Sequence, residues 1–531
     1  MPTLDVSELN VAISILGAFI VLFGLLSIKI KGSWYLGEAL PSVIVGIALG
    51  PVGANFIHVD RWVTGSQPQI SALTLGIVRM VIGIQVLMAG YQLPAKYQLH
   101  RWKEMMLCLL PVMTGMWLLT CGCIIATVPK ITTLIALCIA ACVTPTDPVL
   151  SQSIAKGPFA DKYVPRPLRE IISSEAGAND GFAFPFLMLA TYLIRHADIP
   201  IGEDGVTGHI SRAVSVLARS GEIGRLGGGP GEAMKHWFLE TWLYMILVAP
   251  IYGATIGYLS SKAIHYCLRR KWINDETFLI FPTAIGLFVL GTAGSIGISD
   301  LLACFAAGTA LNWDGKYLAE TELRHDEVNN AIDLILNVGG FMYIGVIIPW
   351  SEFHQPDVTG ITIGRLFGLG FMILLLRRIP AILLMYKLMP GVCANWKEAL
   401  FMGYFGPIGV GAVFYLEHTR VHMYPDLGFG NEEETILMQA IGPVVMWLVL
   451  FSVVVHGLSI PILDLIYRQR NVKPIMKDAI ETRRLSLHAA PPGTNVESNS
   501  TGVVEFGSFS RQDTGDQVLP TTKNDVISYA V

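Results

Sequence analysis

The sequence predicts an all-α membrane protein of about thirteen transmembrane helices, two of them broken and brought together at their breaks. Three observations carry this expectation. Of the 531 residues, 52% are hydrophobic and 15% charged, whereas soluble domains carry about 25% charge. Apolar runs of spanning length recur as far as residue 466. Two of those runs are interrupted by proline and glycine, one in each half of the chain.

The apolar runs centre on residues 9–28, 34–50, 70–90, 105–127, 131–151, 171–194, 237–260, 277–297, 299–313, 331–350, 361–388, 398–416 and 436–466. The run at 9–28 has no basic leader and no small-residue cleavage site, so it reads as a retained span. Basic residues set the orientation. With the N-terminus outside, the inner loops hold Lys29, Lys31, Lys96, Arg101, Lys103, Lys156, Lys162, Arg166, Arg169, Lys262, Arg269, Arg270, Lys271, Lys316, Arg324, Lys387 and Lys397. The short outer loops hold only Arg61, Lys130 and Arg420. The chain thus divides into a membrane part, 1–466, and a polar, aromatic-poor tail, 467–531, expected to be disordered and cytoplasmic.

Other features exclude other classes. A formal net charge of -4 without a basic domain gives nucleic acid no footing. The eight cysteines sit mostly in apolar runs and read as packing residues. No cofactor motif is found: Gly227-Gly228-Gly229-Pro230-Gly231 follows no strand, precedes no Lys-Ser/Thr, and reads as a connector within 195–236. In the tail, Arg483-Arg484-Leu485-Ser486 has the form of a basic-directed kinase site, and Asn499-Ser500-Thr501 is a glycosylation triplet on the cytoplasmic side.

The chemistry centres on Ser174-Glu175-Ala176-Gly177-Ala178-Asn179-Asp180-Gly181, inside the sixth run. An ionised side chain at that depth costs about 2.5–3.5 kcal/mol on insertion scales, so such residues are usually functional. Glu175 and Asn179 share one helix face, and Ala176 and Asp180 the next. Gly177 and Gly181 permit close approach of another backbone. The fifth run is broken by Thr144-Pro145-Thr146-Asp147-Pro148, whose prolines remove helix donors. Unwound backbone at membrane depth survives only where it is buried in protein or lines a cavity. Thr146 or Asp147 can cap a second half-helix there. A matching break, Phe405-Gly406-Pro407-Ile408-Gly409-Val410-Gly411, interrupts the twelfth run.

Arg377 and Arg378 stand mid-way along the eleventh run, before Ile379-Pro380. One can pair with Glu175 or with the carbonyls of the break; snorkelling to the inner face is the alternative. Glu38 and Asp300 are secondary acidic candidates, with helix capping the plain role of Asp300. Arg79, Asp333 and His456 read as structural. A carboxylate in a narrow, dry cavity holds either a proton or a hard cation, because desolvation disfavours its bare charge. Threonine hydroxyls, an amide oxygen and free carbonyls complete an oxygen-ligand set. The candidate cation- and proton-binding residues are therefore Asp180, Asn179, Thr146, Asp147 and Thr144, with Asp180 as ligand of the transported metal ion.

At these residues the sequence resembles the sodium/proton antiporters of the monovalent cation:proton antiporter superfamily, above all the fungal plasma-membrane branch. The resemblance covers about residues 9–466. The 144–148 motif resembles the family's unwound fifth span, and Glu175 to Asp180 resembles its Glu-x-x-x-Asn-Asp motif. It implies that Asp180 binds cation or proton, that Asn179 and Thr146 assist, and that Glu175 pairs with Arg377 or Arg378. Leu36-Gly37-Glu38-Ala39 is similar to an early glutamate motif, and Ser299-Asp300 to an acidic site of the fungal branch. The resemblance further implies inverted repeats, a dimerisation domain plus a six-helix core moving as an elevator, and a homodimer in the plasma membrane. Two positions depart from the pattern: Ala176 stands where many relatives have serine, and Ile408 where many have arginine.

The expectation is thus a non-enzymatic antiporter exporting Na+ or Li+ against protons, 1:1 and electroneutral, with a K+-selective antiporter as the alternative. A cation channel would need a continuous lined pore instead of a pair of breaks. An intramembrane aspartyl protease would need two facing aspartates, and the asparagine beside Asp180 argues against it.

Overall fold

A computed structural model describes residues 7–62, 66–155, 158–196, 228–324, 327–423 and 432–475. Most of the predicted connector, the kinase-type site at Ser486 and the glycosylation triplet lie outside the described residues. Each predicted apolar run has a helical counterpart. These are α1 (Glu8–Ser27), α2 (Ala39–Leu49), α3 (Gln67–Tyr91), α4 (Trp102–Thr127), α5 (Thr133–Cys142), α6 (Pro148–Ala155), α7 (Arg166–Phe182) and α8 (Phe184–Arg195). They continue with α9 (Gly229–Arg269), α10 (Asp275–Ser295), α11 (Asp300–Leu311), α12 (Glu327–Ile347), α13 (Ile363–Leu388), α14 (Trp396–Tyr404), α15 (Val410–His418) and α16 (Glu432–Gln469). Among the described residues, 8 helices are long and apolar enough to cross a bilayer. The only strand-like pairing among them is the isolated bridge between Gln355 and Ile361.

The breaks fall where proline and glycine put them. The fifth run splits into α5 and α6 around 143–147, and the twelfth into α14 and α15 around 405–409. The sixth run, expected to be continuous, is instead divided at Ala183 into α7 and α8. Pro185 is the cause: it has no N–H for the Gly181 carbonyl, and the hydroxyl of Ser299 donates to that oxygen at 2.9 Å. The turn between α10 and α11 is made at Gly297, whose φ of +73° is easily reached only without a Cβ.

Interhelical packing relies on small residues, as it must where lipid supplies no hydrophobic drive between helices. Gly253 and Gly257 of α9 lie against the carbonyls of Ala303 and Ala307 of α11, and Gly308 of α11 lies against the Leu87 carbonyl of α3. Gly46 of α2 meets the Met342 carbonyl of α12 in the same way. Gly181 meets the backbone of Leu302, the close approach expected of it, whereas Gly177 faces the ring of Phe305. Asp333, read as structural, accepts from Gln85 at 3.0 Å, tying α12 to α3.

These contacts give a first prediction. A side chain at position 257 must displace the α11 backbone. Overpacking of this kind costs about 1–3 kcal/mol. Gly257→Leu should therefore lower the thermal denaturation midpoint of the detergent-solubilised protein, while the same change at Gly17, which faces open space, leaves it unchanged.

Candidate functional site

A helix interrupted in mid-membrane exposes carbonyls at one broken end and N–H groups at the other, and none can reach water. In α5/α6 and α14/α15 these groups meet one another and a few charged side chains. The two unwound segments touch directly, Asp147 N–H donating to the Pro407 carbonyl at 2.9 Å. The carboxylate of Asp147 then caps both downstream half-helices. Its Oδ2 accepts from Leu150 N–H of α6 at 2.8 Å, and its Oδ1 accepts from Val410 N–H of α15 at 2.8 Å. A negative charge thus sits at two positive helix ends.

Arg377 does the reverse. Its guanidinium donates to the carbonyls of Val143 at 2.6 Å and Thr144 at 3.1 Å, at the end of α5, and also to Gly406 beyond α14. A positive charge thus meets two negative helix ends. Arg378 forms a two-pronged pair with Glu175, at 2.6 and 2.8 Å, and donates to the Met402 carbonyl of α14 at 3.0 Å. Both arginines are buried, and neither snorkels. They point inward together because α13 widens over Ile373–Arg377 and Arg378 leaves helical geometry, φ −117°. Pro380 two residues on removes a helix donor and permits the distortion.

The structure settles what the sequence left open between the two arginines: Arg378 pairs with Glu175 and Arg377 serves the break. It also assigns the cap, left open between Thr146 and Asp147, to Asp147. Asn179 and Thr146 are joined side by side, the Asn179 amide donating to Thr146 Oγ1 at 2.8 Å and accepting from Thr146 N–H at 3.2 Å. Thr144 turns its hydroxyl back to the Ala140 carbonyl at 2.8 Å. Glu38 is paired with Lys31 and lines a small cavity with Val149, Leu150 and His456. Asp300 is held by Arg79 and caps its own helix through Leu301 N–H at 2.8 Å.

Asp180 differs from every other charge here. It is fully buried, and neither carboxylate oxygen has a hydrogen-bond partner among the described residues. Gly411, at the start of α15, approaches it so closely that a Cβ there would strike Oδ1. Tyr415 of α15 donates its hydroxyl to the Asp180 main-chain carbonyl, so the backbone is anchored while the carboxylate is left open. Glu175 is paired with Arg378, and Asp147 is held by two backbone N–H groups; Asp180 is the acid left without such a partner among the described residues. An open cavity lined by Gln92, Arg166, Glu170, Ser173 and Asn312 among others runs along the first turns of α7. That cavity reaches Ser173, and about 10 Å of helix separates Ser173 from Asp180.

Sequence reasoning missed Tyr415 because it is an aromatic in an apolar run, and it named Gly411 as part of the second break without placing it against Asp180. It missed the Arg79–Asp300 pair because the partners lie on helices far apart in sequence.

A helical membrane protein with two breaks crossing at buried, charge-compensated ends belongs to the class of secondary transporters. A family model described as "Sodium/hydrogen exchanger, transmembrane" matches residues 15–464, and the chain belongs to that family. A probable Na+/H+ antiporter of Schizosaccharomyces pombe is 38% identical over 86% of this chain and 56% of its own length. Na+/H+ antiporter 2 of Zygosaccharomyces rouxii is 34% identical over 87% of this chain and 54% of its own. The chain thus spans little more than half of these two relatives. A shorter Na+/H+ antiporter of S. pombe is 32% identical over 87% of this chain and 91% of its own. Among solved structures, the sodium proton antiporter MjNhaP1 of Methanocaldococcus jannaschii shares the fold, with a TM-score of 0.55 at 15% identity over 87% of this chain and 98% of that one.

The buried Glu175–Arg378 pair gives the second prediction. Removing one partner of such a pair strands the other charge and costs about 3–5 kcal/mol. Glu175→Ala should lower folded yield and thermal stability sharply, and adding Arg378→Met in the same chain should recover most of the loss, measured by fluorescence-detected size exclusion after heating.

Proposed function

We propose that this chain exchanges cytoplasmic Na+ or Li+ for external protons, one for one, at Asp180. The observation that carries the reading is the open carboxylate of Asp180 on the same helix as the balanced Glu175–Arg378 pair. A bare buried carboxylate is costly unless neutralised by a proton or paired with a cation. Each cargo therefore evicts the other. Threonine and backbone oxygens near the breaks suit a hard cation. Asp147 serves to hold the two half-helices and not to ligate, since both its oxygens are taken by backbone donors. Asn179 and Thr146 orient each other beside the site and supply oxygen to the ion once their mutual bonds loosen.

Exchange requires that Asp180 face each side in turn. The cavity ending at Ser173 supplies the inner approach, the cytoplasmic side by the distribution of lysine and arginine. The breaks, the arginine pair and α7 are bound together tightly enough to travel as one body, which favours an elevator movement against α3, α9 and α11. The membrane is the plasma membrane and the working form a homodimer. Ala176, buried one turn before Asp180 without a hydroxyl, leaves the site one oxygen poorer than in many relatives and is the observation that favours a K+-accepting variant of the same exchange.

Two measurements test the reading. Asp180→Asn should abolish pH-driven exchange of Na+, Li+ and K+ in proteoliposomes while the protein remains folded; exchange at the normal rate would refute it. Wild-type exchange, measured by solid-supported-membrane electrophysiology, should carry no sustained current, because Asp180 returns loaded and neutralised in both half-cycles. A robust current would replace the 1:1 ratio with a larger proton number.

A further inference from the structure

The backbone groups of the second break are satisfied by side chains of the last helix that neither the sequence motifs nor the exchange reading includes. Tyr404, the last residue of α14, has a carbonyl that takes only a turn bond from Gly406 N–H at 3.0 Å, and Ile408, inside the break, has an N–H with no helical acceptor. Ser452 of α16 accepts from Ile408 N–H at 2.7 Å. Its Oγ lies 3.0 Å from His456 Nδ1, and His456 Nε2 lies 3.1 Å from the Tyr404 carbonyl. Ser452 and His456 are both buried.

His456 Nδ1 also lies 3.0 Å from the Ser452 main-chain carbonyl, so each ring nitrogen faces a carbonyl, which only accepts. With the hydrogen on Nε2 the ring donates to Tyr404. Ser452 Oγ already accepts from Ile408, so its own hydrogen is free for Nδ1. The result is a closed chain, from Ile408 N–H through Ser452 and His456 to the Tyr404 carbonyl, that clasps both ends of the break. The same break supplies the Pro407 carbonyl to Asp147 N–H, the Val410 N–H to the Asp147 carboxylate, and the backbone of Gly411 against Asp180. Further support comes from the Tyr404 hydroxyl, 2.7 Å from Ser459 Oγ on the same helix.

We infer that Ser452 and His456 are positioning residues of the cation site: they hold the unwound segment 405–409 so that the start of α15 stands at its working distance from Asp180. This deepens the exchange reading and rests on it. A structural role alone would lower the amount of folded carrier and leave its affinity for cation as it was. A positioning role changes affinity in the carrier that does fold.

The test is Na+-driven exchange in proteoliposomes at equal amounts of folded protein, comparing half-saturating Na+ with maximal rate. Ser452→Ala strands the Ile408 N–H and His456→Ala takes one of two donors from the Tyr404 carbonyl; the first should raise half-saturating Na+ about tenfold, the scale of one unsatisfied buried group, and the second about fivefold. Ser452→Thr and His456→Gln keep a hydroxyl and an N–H, and should stay within about threefold of wild type. The double alanine variant should be little worse than either single one, since both cut one chain. Ser452→Cys, a milder weakening of the acceptor, stands in if an alanine variant fails to fold, and is expected between wild type and Ser452→Thr on one side and Ser452→Ala on the other. Unchanged half-saturation in the alanine or cysteine variants would overturn the inference while leaving the exchange reading intact. An inactive wild type in the same assay would overturn both.

Discussion

Four helix ends meet in the middle of this protein, and every feature of the site follows from the need to satisfy them away from water. Two downstream ends present N–H groups and are met by one carboxylate, Asp147. Two upstream ends present carbonyls and are met by one guanidinium, Arg377. Neither charge would be tolerable alone at that depth. Each is stabilised by two helix ends of opposite sign, and the crossing is held at the two points where a helix is weakest. An uninterrupted helix offers no such ends, so the breaks are what allow charge to be kept in the core at all.

That compensation explains why one acid is left over. Arg378 is committed to Glu175 through both prongs, and Arg377 to the carbonyls. Among the described residues neither arginine is left for Asp180, whose carboxylate faces Gly411 at the start of α15. Glycine at 406, 409 and 411 makes this possible through absence of bulk. A Cβ at these places would run into Arg378, Asp147 and Asp180 respectively. The second break is therefore shaped to charged side chains on three other helices, and its sequence reads as a mould of them.

Much of this was legible beforehand, and the reason is chemical. Pro145, Pro148 and Pro407 announce the breaks because a missing N–H is a local property that no tertiary context restores. Glu175, Asp180, Arg377 and Asp147 stand out because charge in an apolar run demands a cause. The division of the sixth run at Ala183 was not anticipated, although Pro185 carried the same local signal; a single proline near the end of a long run also fits an unbroken, kinked span. The choice between Arg377 and Arg378 was beyond sequence, since adjacent residues point about 100° apart on a regular helix and only the widened turn brings both inward. Ser452 and His456 were invisible as a pair. Each is an ordinary residue in a long helix, and their partners are backbone atoms of another segment, which have no letter in the sequence.

The way the site is tied has a mechanical consequence. Asp147 links α6 to α15, Arg377 links α13 to both breaks, Arg378 links α13 to α7 and α14, and Asn179 links α7 to the first break. Every one of these bonds would have to break if one broken helix moved without the other. By contrast, α7 meets α11 through Gly181 against the Leu302 backbone, Gly177 against the Phe305 ring and a hydroxyl bond from Ser299, with no ion pair between the two helices among the described residues. Small smooth surfaces of that kind slide at little enthalpic cost, whereas interlocked charges do not. Under the proposed exchange, which must present Asp180 to each side in turn, movement along α11 would cost less than any movement that separates the two breaks. On that reading the open carboxylate of Asp180, one residue from Gly181 and its contact with α11, would change the face of the membrane it meets without disturbing the crossing that keeps its neighbours charged.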